Sequence, residues 1–317
     1  MFGRFQLAAI FLMCIFCQPP ALVSQDMMML QDSMRSLAPQ IRYSPTDPER
    51  FASNDLFMKV LDDALAMDHK MKHNWDSIEG ISILSSPDKR CRIFSWFVPL
   101  SDGTYQYFGV IQSLDNRHGR YNSHWLQDHS SQITQPEQAL LNADNWFGAM
   151  YYEMIPVESG QTTYYTLLGW DGNDNISRRR IIEVLTLRSN GSPVFGYYLF
   201  RHKGQKNRRV IMEYSGQSQM MLKFDKQTYI QKIRQKGKGL VEKPITKDMI
   251  VFDRLIPMHP SMEGQFAFYV PETNIVDAYV FENGRWNYVA NIDARNPVRR
   301  DKKAPPRPTR LELLPRP

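Results

Sequence analysis

From Ile81 to Ile292 the chain is a succession of short apolar and aromatic runs separated by tight-turn dipeptides, and this pattern constrains the fold more than any other feature. Runs such as Ile93–Val98, Tyr105–Ile111, Thr163–Trp170, Ile181–Leu187 and Val276–Phe281 read as strands. Asp102-Gly103, Asp171-Gly172, Asn190-Gly191 and Asn283-Gly284 punctuate them. The two Asn-Gly pairs are the strongest signals, because a type I′ hairpin needs positive φ at both central residues and Asn-Gly tolerates both. Strands joined by turns this short pair antiparallel. The expected fold is therefore mainly β, with antiparallel sandwich or barrel-like sheets. With 42% hydrophobic residues and a mean hydropathy of -0.46 there is material for a core. That composition excludes a collagen, a coiled coil and a multi-pass membrane protein.

Helical signals are confined to two places. Thr46-Asp47-Pro48-Glu49 is a helix start, with Thr46 as N-cap, a proline where no N–H is needed and Glu49 placed to close a capping box. Phe57, Val60, Leu61, Ala64 and Leu65 then recur at helical spacing. The similar Thr134-Gln135-Pro136-Glu137 predicts a second, short helix through Leu141. Residues 25–46 read as a polar lead-in. Pro156-Val157-Glu158-Ser159-Gly160 is the seam between a helix-plus-sheet part (47–155) and an all-strand part (161–296), with one continuous core as the alternative.

Arg4, the apolar run Phe5–Phe16, Pro19-Pro20 and Ala21–Ser24 follow the layout of a secretory signal peptide over residues 1–24, with cleavage expected near Ser24. Roughly a dozen apolar residues are too few to span a bilayer, which takes about 20. The expected location is therefore periplasmic or extracellular. Cys14 and Cys17 fall inside that segment, so Cys91 is left alone and no internal disulfide can form. That absence favours a bacterial envelope protein over a eukaryotic secreted one. Cys91 reads as a small structural residue, and Asn175-Ile176-Ser177 and Asn190-Gly191-Ser192 as turns before glycosylation acceptors.

The net charge of +6 is unevenly placed. Residues 295–317 hold eight Arg and Lys against Asp301 and Glu312, a net +6; with Arg4 contributing +1, residues 25–294 net -1. Six prolines interrupt the same segment, so residues 297–317 are expected to form a loose basic arm. A solvated end is the first reading of this arm, and contact with an anionic partner such as lipid head groups, polysaccharide or nucleic acid the second. No specific nucleic-acid signal accompanies it.

The strings Arg92–Trp96, Tyr164–Asn173, Arg180–Leu185 and Phe281–Trp286 resemble an uncharacterised family of exported Bacteroidota proteins, over residues 92–296. The resemblance implies export and a shared fold, and it carries over no catalytic residue.

Candidate sites are few. Asp171, Asn173 and Asn175 stand at the i, i+2, i+4 spacing of a calcium loop, where alternate oxygens converge on a hard cation. Ile176 stands where an EF-hand has glycine and Ile182 where it has the closing Glu, so a plain Asx-rich turn is the first reading and calcium the second. The polar stretch Asp115–Gln132 contains His118, His124, His129, Asp115 and Asp128; it reads as a surface loop, with zinc the less favoured alternative. There is no Gly-rich phosphate loop, HExxH or GxSxG, and Ser261 near His259 and Glu263 is too ordinary a grouping to be a triad. Basic runs at Arg178–Arg180, Arg201–Arg209 and Lys223–Lys238 read as solvated faces.

The doublets Tyr151-Tyr152, Tyr164-Tyr165 and Tyr197-Tyr198 place aromatic rings on opposite faces of a strand. Either both faces are covered, or one exposes an aromatic platform that could stack on sugar or peptide. The functional expectation is an exported, non-catalytic envelope protein that binds or scaffolds an envelope protein or polysaccharide. The alternative is a hydrolase acting on an envelope polymer, which would need a cleft joining carboxylates or histidines of perturbed pKa.

Overall fold

The computed structural model describes residues 20–292, except Lys203 and residues 236–238, with the side chains of 20–24, Lys232, Ile233 and Gln235 also left out. The expected signal segment up to residue 19 and the basic arm 297–317 lie outside what is described, while the expected cleavage point near Ser24 falls within a helix that begins at Pro20. Within it the protein is mainly β, with two helices at its N-terminal end.

Sheet A is an antiparallel meander of β1 (Ser82–Ser85), β2 (Cys91–Pro99), β3 (Tyr105–Asp115) and β4 (Arg120–Gln127). Sheet B comprises β5 (Leu141–Asn142), β6 (Met150–Ser159), β7 (Thr162–Asp171), β8 (Ser177–Leu187) and β9 (Pro193–Phe195), in the order β5-β9-β8-β7-β6. Sheet C begins with β10 (Phe200–His202) and β11 (Gln205–Asn207); the chain then returns to sheet B as β12 (Val210–Ser215), antiparallel to the first half of β8. β13 (Leu222–Gln235), β14 (Gly239–Pro257), β15 (Tyr269–Glu282) and β16 (Arg285–Ile292) complete sheet C, ordered β11-β10-β16-β15-β14-β13. Its β10–β16 pair is parallel.

Three sheets and a helical layer stack in succession. α1 (Pro20–Tyr43) and α2 (Asp47–Met67) cover the outer face of sheet A, where Met34, Ala38, Phe57 and Leu61 meet Phe94, Trp96 and Val98. The alternate residues of β2, Cys91, Ile93 and Phe97, face sheet B instead and pack with Tyr151, Tyr165, Leu167 and Ile181. The other face of sheet B, through Tyr164, Leu168, Ile182 and Val184, packs on Phe200, Ile250, Phe252 and Trp286 of sheet C. Period-2 alternation thus feeds two cores from one strand, and β2 is buried from Cys91 to Val98. Sheet C curls until β13 lies near β16, enclosing Met249, Val251, Ala278 and Val280.

Several expectations need correction. The polar lead-in is helical: Met27, Met34, Ala38 and Ile41 are buried, with Leu30 and Leu37 half-buried between them. That is an i, i+3/i+4 stripe hidden by the exposed Met28 and Met29 and by Pro39. No helix forms at Thr134–Leu141; a turn there leads into β5. Within the expected polar loop Asp115–Gln132, residues Arg120–Gln127 form β4, paired along its length with β3. The expected seam falls on the β6–β7 hairpin, whose strands pair across it. Asn283-Gly284 is the type I′ turn expected, both residues at positive φ, but at Asn190-Gly191 only the glycine is. Gly191 instead packs on sheet A, where its C=O accepts from Ser113 Oγ at 2.6 Å.

Candidate functional site

Where the ends of the three sheets meet, a cleft of about 1150 Å³ opens. One wall is the β2–β3 hairpin with Tyr105 and Tyr107, another the 128–138 segment, and a third the end of sheet C at Leu255, Phe266 and Tyr269. The floor is sheet B, and strand register builds its centre. Asp171 of β7 pairs with Arg179 of β8, and Arg179 pairs with Glu213 of β12, so a cation sits between two carboxylates in one cross-strand row.

Hydrogen bonds close this row into a ring. Arg179 Nη1 lies 3.3 Å from Asp171 Oδ2 and its Nε 3.3 Å from Glu213 Oε2. Ser177 Oγ donates to Glu213 Oε1 at 2.7 Å, and Asn173 Nδ2 donates to Ser177 Oγ at 2.7 Å. The Asn173 N–H returns to Asp171 Oδ1 at 2.8 Å. Tyr107 OH also donates to Asp171 Oδ1 at 3.0 Å while accepting the Gly172 N–H at 2.7 Å. Burial pushes the Asp171 carboxyl up, against the pull of the Asn173 N–H and Arg179. Burial and the nearby Asp171 charge push the Tyr107 phenol well above its ordinary value. On the adjacent wall, burial likewise raises Glu137.

A second charged centre supports the cleft from behind. Glu183 and Arg209 are fully buried, with Nε 2.7 Å from Oε2. Arg209 Nη1 also donates to the carbonyls of Pro136 and Ala139, which ties the 136–139 wall to sheet B.

The expected calcium residues are placed differently from a cation loop. Both oxygens of Asp171 already accept hydrogen bonds, one from a guanidinium. Asn175 turns away to donate to the Asp102 carbonyl at 2.9 Å. The Asx turn is plain in Asp174 Oδ1, which accepts from the Ile176 and Ser177 N–H groups.

The histidines are spread over a turn, a strand and the residues beyond it. His118 bonds Asp115 at 2.7 Å in the β3–β4 turn, His124 lies within β4 and His129 beyond it. No metal-binding group of three or more His, Cys, Asp and Glu occurs among the described residues. Asp128 is instead a cleft residue, accepting the Tyr107 N–H at 3.1 Å and the Ser130 N–H at 3.0 Å. His259 Nδ1 lies 2.8 Å from Ser261 Oγ as the cap of an exposed turn.

The tyrosine doublets in strands have both faces covered: Tyr151 and Tyr165 face sheet A, Tyr152 and Tyr164 face sheet C. Tyr197-Tyr198 lies between strands and is exposed, Tyr198 with the Arg208 guanidinium 4.0 Å from its ring centroid. The Arg178–Arg180 run departs from the solvated face expected of it. Arg178 caps the Gly216 carbonyl, Arg180 donates to the Met220 carbonyl, and Arg179 holds the ring. Cys91 is buried and free, and desolvation pushes its thiol up to about 12.

Sequence reasoning missed Tyr107, Glu137 and Glu213. The one available signal was the placement of Asp171, Arg179 and Glu213 at the ends of strands that prove to be neighbours. No protein-family model, curated protein or solved structure matches the chain. No helix among the described residues is long and apolar enough to cross a membrane.

Proposed function

We propose that this is an exported, non-catalytic envelope protein that binds or scaffolds an envelope partner, protein or polysaccharide, and that the cleft is its binding site. The observation that carries the reading is the interlinked polar floor. Asp171, Arg179 and Glu213 spend their hydrogen-bonding groups on one another and on Tyr107, Ser177 and Asn173, beneath walls bearing Tyr105, Phe147, Phe266 and Tyr269. Fixed polar groups among aromatic walls suit recognition. Export rests on the layout of residues 1–24 and on the resemblance to exported Bacteroidota proteins.

The test is a photoreactive benzoylphenylalanine placed at Phe266, which is exposed on the cleft rim, and at Leu56, exposed on the helical layer. In native envelopes the probe at 266 gives a discrete adduct that the probe at 56 does not. Identical or absent adducts from both positions reject the cleft as the binding site.

The hydrolase reading is favoured by one observation, that Asp171 and Glu137 line the same cleft with carboxyls raised by burial. It requires release of product from envelope polymer by the pure protein, and loss of that release in Asp171→Asn.

A further inference from the structure

The cleft is unbalanced in charge and has an apolar lip. Asp128, Glu137, Asp171, Asp174 and Glu213 line it against Arg179. At its sheet C end, Phe266 is exposed on the rim, and Ile256, Met258 and Phe268 are exposed on the adjoining strand ends, the Met258 N–H donating to the Phe268 carbonyl at 3.0 Å. A ligand fitting both features carries several cations and a few aliphatic side chains on an extended backbone.

Residues 295–317 of this chain have that chemistry. Eight Arg and Lys stand against two acids, six prolines disfavour helix and sheet, and Leu311, Leu313 and Leu314 follow the basic stretch. Sheet C also delivers the chain to the cleft. Ile292 pairs with Val276, Val276 pairs with Asp253, and Leu255, two residues further along β14, lines the cleft. β16 and β14 are each antiparallel to β15, so the chain leaves Ile292 heading the way β14 runs, toward Pro257 and the lip. Two strand spacings make this offset about 10 Å. Residues 293–317, extended, span up to roughly 80 Å, ample to cross the cleft. A tethered segment faces its site at an effective concentration of order millimolar, so weak contacts suffice to fill it.

The geometry points to residues 295–317 docking in the cleft of their own chain, the basic side chains over the carboxylates and the leucines on the apolar lip. This rests on the cleft being the binding site. Docking in cis makes the segment a competitor of the external partner. An anionic surface that attracts the same arginines and lysines would draw it out and open the cleft.

Zero-length carbodiimide coupling on the full-length protein tests this, because it joins a Lys amine to a carboxylate only when the two touch. Mass spectrometry should find Lys302 and Lys303 joined to Glu137, Asp174 or Glu213. Mixed isotope-labelled and unlabelled chains should show the links to be within one chain. Yield should fall several-fold between about 0.05 M and about 0.5 M salt, as the Debye length shrinks from about 14 Å to about 4 Å. Reversing Arg299, Arg300 and Arg307 to Glu keeps both lysines and alters no residue of the described body; it should cut the links by a similar factor. Links scattered over remote acids such as Glu79 and Glu158, links mainly between chains, or indifference to the Arg→Glu reversal would each overturn the proposal. If those results come with a partner adduct at position 266, only docking in cis fails and the binding cleft stands; without that adduct both fail.

Discussion

Glu183→Gln should be among the most damaging conservative substitutions in this protein. Glu183 and Arg209 have no solvent exposure, and their ion pair lies between sheets A and B. Burial pushes the Glu183 carboxyl up and Arg209 pulls it back. Substitution by Gln keeps the volume and an oxygen acceptor but removes the charge, leaving a buried guanidinium with neutral acceptors only, among them the Pro136 and Ala139 carbonyls. Breaking a buried pair from one side costs about 3–5 kcal/mol, because the uncompensated charge stays desolvated. At about 2–4 °C per kcal/mol for a body of this size, the melting temperature should drop by roughly 6–20 °C. The pair Glu183→Leu with Arg209→Met removes both charges and should recover much of that loss, although two wall carbonyls then lack a donor. Urea denaturation of the wild type, both single variants and the double variant gives the coupling energy directly. Hydrogen exchange at Gln138 and Ala139, whose amides bond within the wall segment, should quicken in Arg209→Met before the rest of sheet B does. A loss below about 1 kcal/mol for Glu183→Gln would mean that the pair is not desolvated as its burial requires, and the tie to the cleft wall would fall with it.

Cys91, buried with its thiol pushed up to about 12, should resist alkylation in the native state and react fully in denaturant; rapid native labelling would contradict its burial. Thr46→Ala removes the cap of α2, where the Glu49 N–H reaches Thr46 Oγ1 and the Thr46 N–H reaches Glu49, and should cost about 1 kcal/mol in urea unfolding. Burial alone would raise Asp277, but hydrogen bonds from Arg254, Tyr288 and the Asn291 N–H hold its carboxyl below 3.8. Its stabilisation is therefore present above that value and is lost as pH falls through the lower folded value. Asp277→Asn should then be less stable than wild type at neutral pH, with the gap closing as acid is added; a gap independent of pH would exclude ionic linkage. Millimolar calcium should leave the melting temperature unchanged, since Arg179 and two neutral donors already hold Asp171; a rise that Asp171→Ala abolishes would reinstate the calcium loop.

Parts of the fold were legible because their signals are local. The capping box at Thr46 and the turn at Asn283-Gly284 depend on residues within a few positions of one another, and both form as expected. The two strand-borne tyrosine doublets left covered faces as one of two readings, and the stacked sheets cover both. β4 escaped notice because its residues, Arg120 to Gln127, are polar apart from Tyr121, Trp125 and Leu126, and it is a strand through its pairing with β3. α1 escaped because methionine carries its buried stripe at Met27 and Met34 while other methionines lie exposed beside them. In each case a tertiary partner outweighed local propensity.

The cleft was illegible for a related reason. Asp171, Arg179 and Glu213 become neighbours only because the chain leaves sheet B after β9, builds β10 and β11 of sheet C, and returns as β12 on the free half of β8. β9 pairs with the last residues of β8, Leu185 to Leu187, which leaves Ser177 to Ile182 unpaired on that edge until β12 arrives. A single-residue slip in β12 would turn Glu213 to the opposite face and leave Arg179 with Asp171 alone. The register is held by apolar residues on either side of the charged row, Val210 against Ile182 and Tyr214 within the sheet B–sheet C core. The charged floor is thus specified by hydrophobic packing of the strand that completes it. Substitutions at Val210 or Tyr214, which do not themselves form the charged row, should consequently disorder the ring at Arg179 as well as loosen the core.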